Sequence, residues 1–197
     1  PLPIEKKGAV VCVGEGLGLA SLVGLCRALK QVGNKVFGIA GFESRKSSIL
    51  ENQMRLNCSK FYVMYQDGMH ERKGDVLMSF KRLVDETRLE EVYVDVSSAM
   101  ARDICLVAAD KGLRTRVNLL SMLQLRPSFF ETGHIMLKGK RYYPAVEGAM
   151  VDAARVDLKE LGRMFSSAKE YAECRRKEGV SWPRPSGFAR FKKFIWG

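Results

Sequence analysis

The feature that most constrains this chain is the stretch from Gly8 to Lys30, GAVVCVGEGLGLASLVGLCRALK. Ala9–Val13 is a continuous apolar run, the pattern of a strand covered on both faces in a parallel sheet. Gly14, Gly16 and Gly18 follow it. Leu19, Leu22, Val23, Leu25, Cys26 and Leu29 then recur at helical spacing, and Gly33-Asn34 supplies the stop signal. A strand that ends in glycines and opens a helix is where open α/β folds hold phosphates. Glycine lets the backbone approach the ligand, and the helix start offers unpaired N–H groups and a positive dipole end. The first expectation is therefore a nucleotide pyrophosphate site over Gly14, Gly16, Gly18, Leu19 and Ala20. A plainer reading stands against it, in which the glycines make only a tight turn and close helix–strand packing. The pattern G-E-G-L-G-L-A is not quite G-x-G-x-x-G and lacks the G-K-[ST] of a P-loop.

The rest of the chain alternates in the same way. Strands are expected over Lys35–Ala40, Lys60–Tyr65, Glu91–Val96 and Leu113–Leu119. Helices are expected over Ser47–Leu56, around Val76–Val84, and from Ser97 and Ser98, as capping residues, to about Lys111. Five strands in this alternation predict an α/β fold with a doubly wound five-stranded parallel sheet. Ligands of such sheets bind beyond the strand C-termini, where the strand order reverses. The turns Gly14–Gly18, Gly41–Arg45, Asp67-Gly68 and Val96–Met100 all fall there and are expected to line one crevice. After Leu120 the alternation stops. His134–Leu137 and Arg141–Ala145 read as a small hairpin, and Asp157 begins an amphipathic helix. The end is proline-broken, basic and aromatic.

Composition narrows the class. At 197 residues and 46% hydrophobic content, the chain can build one α/β domain with an appendage, and no apolar run is long enough to span a membrane. Cys12, Cys26, Cys58, Cys105 and Cys174 are scattered without C-x-x-C or a Cys/His cluster, which points to a reducing compartment such as the cytoplasm and to no structural metal. His70 and His134 are lone loop histidines. The net charge is +11, and residues 134–197 carry 14 Lys and Arg against 7 Asp and Glu. Phe188, Arg190, Phe191, Lys192 and Lys193 interleave aromatics with bases, but no nucleic-acid recognition motif accompanies them. Leu2-Pro3-Ile4-Glu5 reads as a linker.

From about residue 8 to 175 the sequence resembles the NAD(P)-binding half of the ferredoxin–NADP reductase-like electron-transfer flavoproteins. The branch in question holds the dihydroorotate dehydrogenase electron-transfer subunit and the small subunit of sulfide dehydrogenase (NADH-dependent ferredoxin–NADP oxidoreductase). The residues that carry the resemblance are G-x-V-V-C-V-G-x-G-x-G-x-A, A-L-K-x-x-G-N-K-V, L-E-x-x-M-R, D-G-x-x-x-R-K-G, and the late V-x-G…V-D-x-x-E-L. There are departures. Glu15 stands for a glycine and Ser21 for a proline of the family turn, and a carboxylate at position 15 would repel a pyrophosphate unless it points away. Met69 and Glu71 replace Ser and Gly of the family's D-G motif. Only Met100 survives of the motif near the nicotinamide, here Val96-Ser97-Ser98-Ala99-Met100. Leu125, Phe130, Gly133 and Ala145 stand where the family binds a two-iron two-sulfur cluster, and residues 106–173 contain no cysteine.

The resemblance implies NAD or NADP held by Gly14, Gly16, Gly18, Leu19 and Ala20, with Asp67, Gly68 and Met100 at the ribose and nicotinamide end. It implies no iron–sulfur cluster, and FAD only through an absent or partner domain. Partners would be a flavin-binding domain or subunit and other redox subunits. Glu43 suits a ribose hydroxyl, while Arg45 and Lys46 suit a 2′-phosphate, so NAD and NADP both stay open. The expected organisation is a linker (1–7), an NAD(P)-binding domain (8–120), a degenerate iron–sulfur-type subdomain (121–155), a C-terminal helix (156–178) and a basic aromatic tail (179–197). The expected function is the NAD(P)H-binding module of an FAD-dependent electron-transfer oxidoreductase, with no catalytic side chain of its own. The alternative is a degenerate docking or scaffold subunit of a redox complex.

Overall fold

The computed structural model describes residues 2–67, 75–119 and 135–157. The continuous apolar run forms β1 (Ala9–Glu15), and the glycine turn delivers the chain into α1 (Gly18–Gln31). β2 (Lys35–Phe42), α2 (Glu51–Asn57), β3 (Lys60–Tyr65), α3 (Val76–Glu86), β4 (Glu91–Asp95), α4 (Ser98–Asp110) and β5 (Arg114–Asn118) follow in the expected alternation. The strand order is β3-β2-β1-β4-β5, all parallel, so the winding reverses between β1 and β4.

The sheet is larger than the sequence predicts. After a hairpin of β6 (Ile135–Leu137) and β7 (Lys140–Tyr142) and one short helical turn, β8 (Met150–Asp152) pairs antiparallel with β5. The expected all-parallel five-stranded sheet is thus a mixed six-stranded one. Three residues with a single buried valine give no alternation for sequence reading to detect. The expected helix over Ser47–Leu56 is also divided. A 3₁₀ turn at Arg45–Ser47, closed reciprocally by Ser44 and Ser47, comes first, and Leu50 at φ +58 breaks the path before α2 begins.

Strand periodicity explains the layering. Val11 and Val13 of β1 pack with Phe80 and Leu83 of α3 and Ile104 of α4 on one face. Val10 and Cys12 pack with Leu19, Leu22, Cys26 and Leu29 of α1 and Met54 of α2 on the other. Leu2 and Ile4, from the stretch expected as a linker, lie against this second layer, and Asn34 ties it down through the Glu5 carbonyl at 2.8 Å and the Lys7 N–H at 2.6 Å.

The thiols follow from the same layering. Cys12, Cys26, Cys58 and Cys105 are buried. The neighbouring Cys12 thiol and burial push Cys26 up, the Cys26 thiol and burial do the same to Cys58, and burial pushes Cys105 up to about 12. A thiol that stays protonated and covered is inert. In a Cys174→Ser chain, Ellman's reagent at pH 8 should therefore titrate no thiol until denaturant is added. A fast-reacting thiol in that variant would contradict this placement.

Candidate functional site

The C-terminal edge of the sheet gathers most of the residues singled out from the sequence, and it separates them by face. Gly14 faces α1: a Cβ there would lie 2.6 Å from Leu19 Cδ1 and 2.9 Å from Leu22 Cδ1. Gly18 is tighter still, since its Cβ would lie 2.2 Å from the Asp95 carbonyl oxygen. These two glycines are needed for close helix–strand approach. Gly16 is needed for its backbone, at φ +51 with open space beside it, and its N–H donates to the Gly41 carbonyl at 3.0 Å. Leu19 turns its side chain wholly into the core, whereas Ala20 is exposed. The α1 start has no side-chain cap and no acidic residue in its first turn, and its N-cap residue Leu17 is 83% exposed. Its leading N–H groups and dipole end are the fitting half of a phosphate site.

Glu15, one residue into the turn, lies on the opposite face. The two-residue repeat of β1 puts it on the side of Val11 and Val13, over Gly41, whose Cβ would lie 3.2 Å from Glu15 Cγ. Its carboxylate accepts the Ser97 N–H at 3.0 Å. Ser97 is the N-cap residue of α4, yet its own side chain makes no capping bond. The cap expected from Ser97 or Ser98 is thus supplied from across the crevice by Glu15. Beside it lies a groove of about 380 Å³ lined by Gly41, Met64, Val76, Asp75 and Met100 along with Glu15. Asp75 caps α3, accepting the Leu77 N–H at 2.8 Å.

Met100 therefore shares a groove with Glu15, on the face of β1 opposite Gly14 and α1. Asp67 is exposed beyond β3, its N–H bonded to the Glu43 carbonyl at 3.0 Å. Glu43, Arg45 and Lys46 are all exposed after β2, so both nucleotide alternatives retain their residues. Gly68, Met69, His70 and Glu71 lie outside the described residues, as do Leu125, Phe130, Gly133, His134, the expected C-terminal helix beyond residue 157 and the aromatic tail. Ala145 falls in the short turn Pro144–Glu147. Among the described residues no group of three or more His, Cys, Asp or Glu is placed to hold a metal ion, and no helix is long and apolar enough to cross a membrane.

Sequence reading missed Asp95. It ends β4 only 1% exposed, directly beneath the first turn of α1. Its carboxylate accepts from the Ser21 hydroxyl and from the Asn118 amide at 2.7 Å. Ser21, where the family turn carries proline, is thereby a partner for a buried acid. The available signal was an acid closing the otherwise apolar run VYVD at a strand C-terminus, which reads equally well as a strand simply emerging into solvent.

No family model matches the chain. Over 184 residues it is 24% identical to the Thermotoga maritima dihydroorotate dehydrogenase B (NAD(+)) electron transfer subunit homolog, covering 93% of this chain and 63% of that protein. A Streptococcus thermophilus dihydroorotate dehydrogenase B (NAD(+)) electron transfer subunit is 36% identical over 73 residues, 37% of this chain and 28% of that one. The solved NADH-dependent reduced ferredoxin–NADP oxidoreductase has the same fold, with a TM-score of 0.70 at 20% identity over 92% of this chain and 65% of that one. The chain thus resembles the ferredoxin reductase-like electron-transfer subunits. In particular it is similar to the electron transfer subunit of dihydroorotate dehydrogenase B, and it spans less than two thirds of the length of these relatives.

Proposed function

We propose that this chain is the NAD(P)H-binding module of a flavin-dependent electron-transfer oxidoreductase and works beside a flavin held by another domain or subunit. The observation that carries the reading is the start of α1. It stands at the reversal between β1 and β4, is reached through a left-handed glycine, and carries neither a capping side chain nor a first-turn acid. A pyrophosphate is the ligand such a start accommodates. The names of the relatives, electron transfer subunits of NAD-linked enzymes, support the same reading.

A bound reduced nicotinamide would supply a hydride, which the protein needs only to position. Gly16 and Gly18 would let the backbone come close and the N–H groups of Leu17 and Gly18 would face the pyrophosphate, with Leu19 seating the helix and Ala20 leaving the approach clear; the Gly16, Leu19 and Ala20 N–H groups already donate to the Gly41, Gly16 and Leu17 carbonyls. Met100 would lie at the nicotinamide end, and Asp67 with Gly68 at the ribose. Partners would be the flavin-binding unit and further redox subunits.

A second reading, a docking subunit without turnover, draws on Glu15 and Asp95, two carboxylates beside the two helix starts that flank the reversal. Thermal unfolding with millimolar NADH or NADPH distinguishes the two. A ligand at 100 times its dissociation constant adds about 2.7 kcal/mol, and a rise in Tm of several degrees is expected with one nucleotide. A flat response to both nucleotides favours the docking subunit.

A further inference from the structure

We propose that Glu15 sets which ligands this site admits: its carboxylate already fills the anion position at the start of α4 and penalises a ligand that carries negative charge across the β1–β4 crevice. The inference rests on the dinucleotide reading above and concerns how tightly that ligand is held.

Four observations carry it. First, α4 has no cap of its own and no acid in its first turn, so its positive end is available to an anion, and the anion it receives is Glu15 at 3.0 Å from the Ser97 nitrogen. Second, Glu15 is only partly exposed and its stem lies over Gly41, which holds its carboxylate beside the groove instead of free in solvent. Third, Asp75 lines the same groove and adds a second negative charge. Fourth, α3 is capped by that same Asp75. At the starts of α3 and α4 a carboxylate accepts a leading N–H, from Leu77 and from Ser97, whereas the carboxylate beneath α1, Asp95, is buried and accepts from the Ser21 hydroxyl and the Asn118 amide. The pyrophosphate is therefore confined to the α1 side of the turn, and the nucleotide half that extends toward Met100 runs past a fixed negative charge. Two other roles for Glu15 predict different behaviour. A carboxylate that accepts a ribose hydroxyl would strengthen binding, and one that serves only as a cap would leave binding unchanged.

The test is the dissociation constant for NADH and for NADPH, measured by calorimetry on the wild-type chain, Glu15→Gln and Glu15→Asp, with the Tm of each chain recorded without ligand. Glutamine keeps an acceptor for the Ser97 N–H and removes the charge. Aspartate keeps the charge and is one methylene too short for the cap. Glu15→Gln should bind the preferred nucleotide about tenfold or more tightly than wild type, equivalent to about 1.4 kcal/mol, while Glu15→Asp should gain nothing. Equal affinity in wild type and Glu15→Gln would overturn the inference and leave the dinucleotide reading standing. Weaker binding by Glu15→Gln would overturn it in favour of a direct ligand contact, and a matching gain in Glu15→Asp would assign the effect to the cap instead of the charge. No binding by any of the three chains overturns the dinucleotide reading itself, and the inference with it.

Discussion

Glu91→Gln should cost this domain about 3–5 kcal/mol, the range for removing one partner of a buried ion pair. Glu91 opens β4 at the end of the sheet opposite the crevice and is 1% exposed. Lys7 donates to Oε2, Arg116 to Oε1 at 2.7 Å, and the Tyr93 hydroxyl to Oε2 at 2.8 Å. Lys7 and Arg116 are themselves 18% and 11% exposed, so neutralising the acid strands two largely covered cations. Burial alone would raise the Glu91 carboxyl, but the hydrogen bonds from Lys7, Arg116 and Tyr93 outweigh it and hold it below its ordinary value of 4.5. The pH dependence follows in sign. A carboxyl depressed in the folded state contributes its full stabilisation above its unfolded value and loses it as pH falls through the lower folded value. Urea titrations should thus show wild type losing stability between pH 6 and pH 3 more steeply than Glu91→Gln. Equal midpoints for the two chains at pH 7 would refute the ion-pair account.

Gly18→Ala should be destabilising, although alanine is the better helix former by about 1 kcal/mol. The new Cβ would meet the Asp95 carbonyl at 2.2 Å and the Asp95 side chain at 2.9 Å. The obstacle is backbone of a strand hydrogen-bonded on both sides, so β4 cannot yield and α1 must move off the sheet. That movement would also part Leu19 and Leu22 from Gly14. Overpacking of this kind costs about 1–3 kcal/mol and at times more, and the displaced helix start should lose its nucleotide-induced rise in Tm. Gly24→Ala in the same helix is the control. A Cβ there meets nothing within 4 Å, so a gain of about 0.5–1 kcal/mol is expected. If both substitutions stabilise alike in denaturant titrations, the close approach of α1 to β4 is wrong.

The architecture was legible because each parallel strand is an apolar run and each helix an apolar stripe, signals that depend on burial alone. β8 was not legible, because a three-residue strand is defined by its partner β5. The site was legible at Gly14, Gly16 and Gly18, but their reasons differ: two serve packing and one serves backbone conformation. Glu15 was recognised as discordant from sequence, yet its direction depends on which face of β1 the fifteenth residue meets, and its partner Ser97 is 82 positions away. Asp95 and Glu91 escaped because buried acids are identified by partners distant in sequence, Ser21 and Asn118 for one, Lys7 and Arg116 for the other. Arg114 and Arg116 stand two residues apart on β5, and the two-residue repeat of a strand directs both towards Glu91.

The antiparallel return of β8 has a consequence for how freely the intervening segment can change. Asn118 is paired with Met150, and the Leu119 N–H donates to the Ala149 carbonyl at 2.9 Å, so the excursion leaves and rejoins the sheet at neighbouring points. A loop clamped at its two feet burdens the fold mainly through closure entropy, which grows only logarithmically, by about 0.6 kcal/mol for each doubling of length. The length of such an excursion weighs little on the sheet, whereas Leu137, buried in the same apolar layer as Val117 and Val151, is where its content counts.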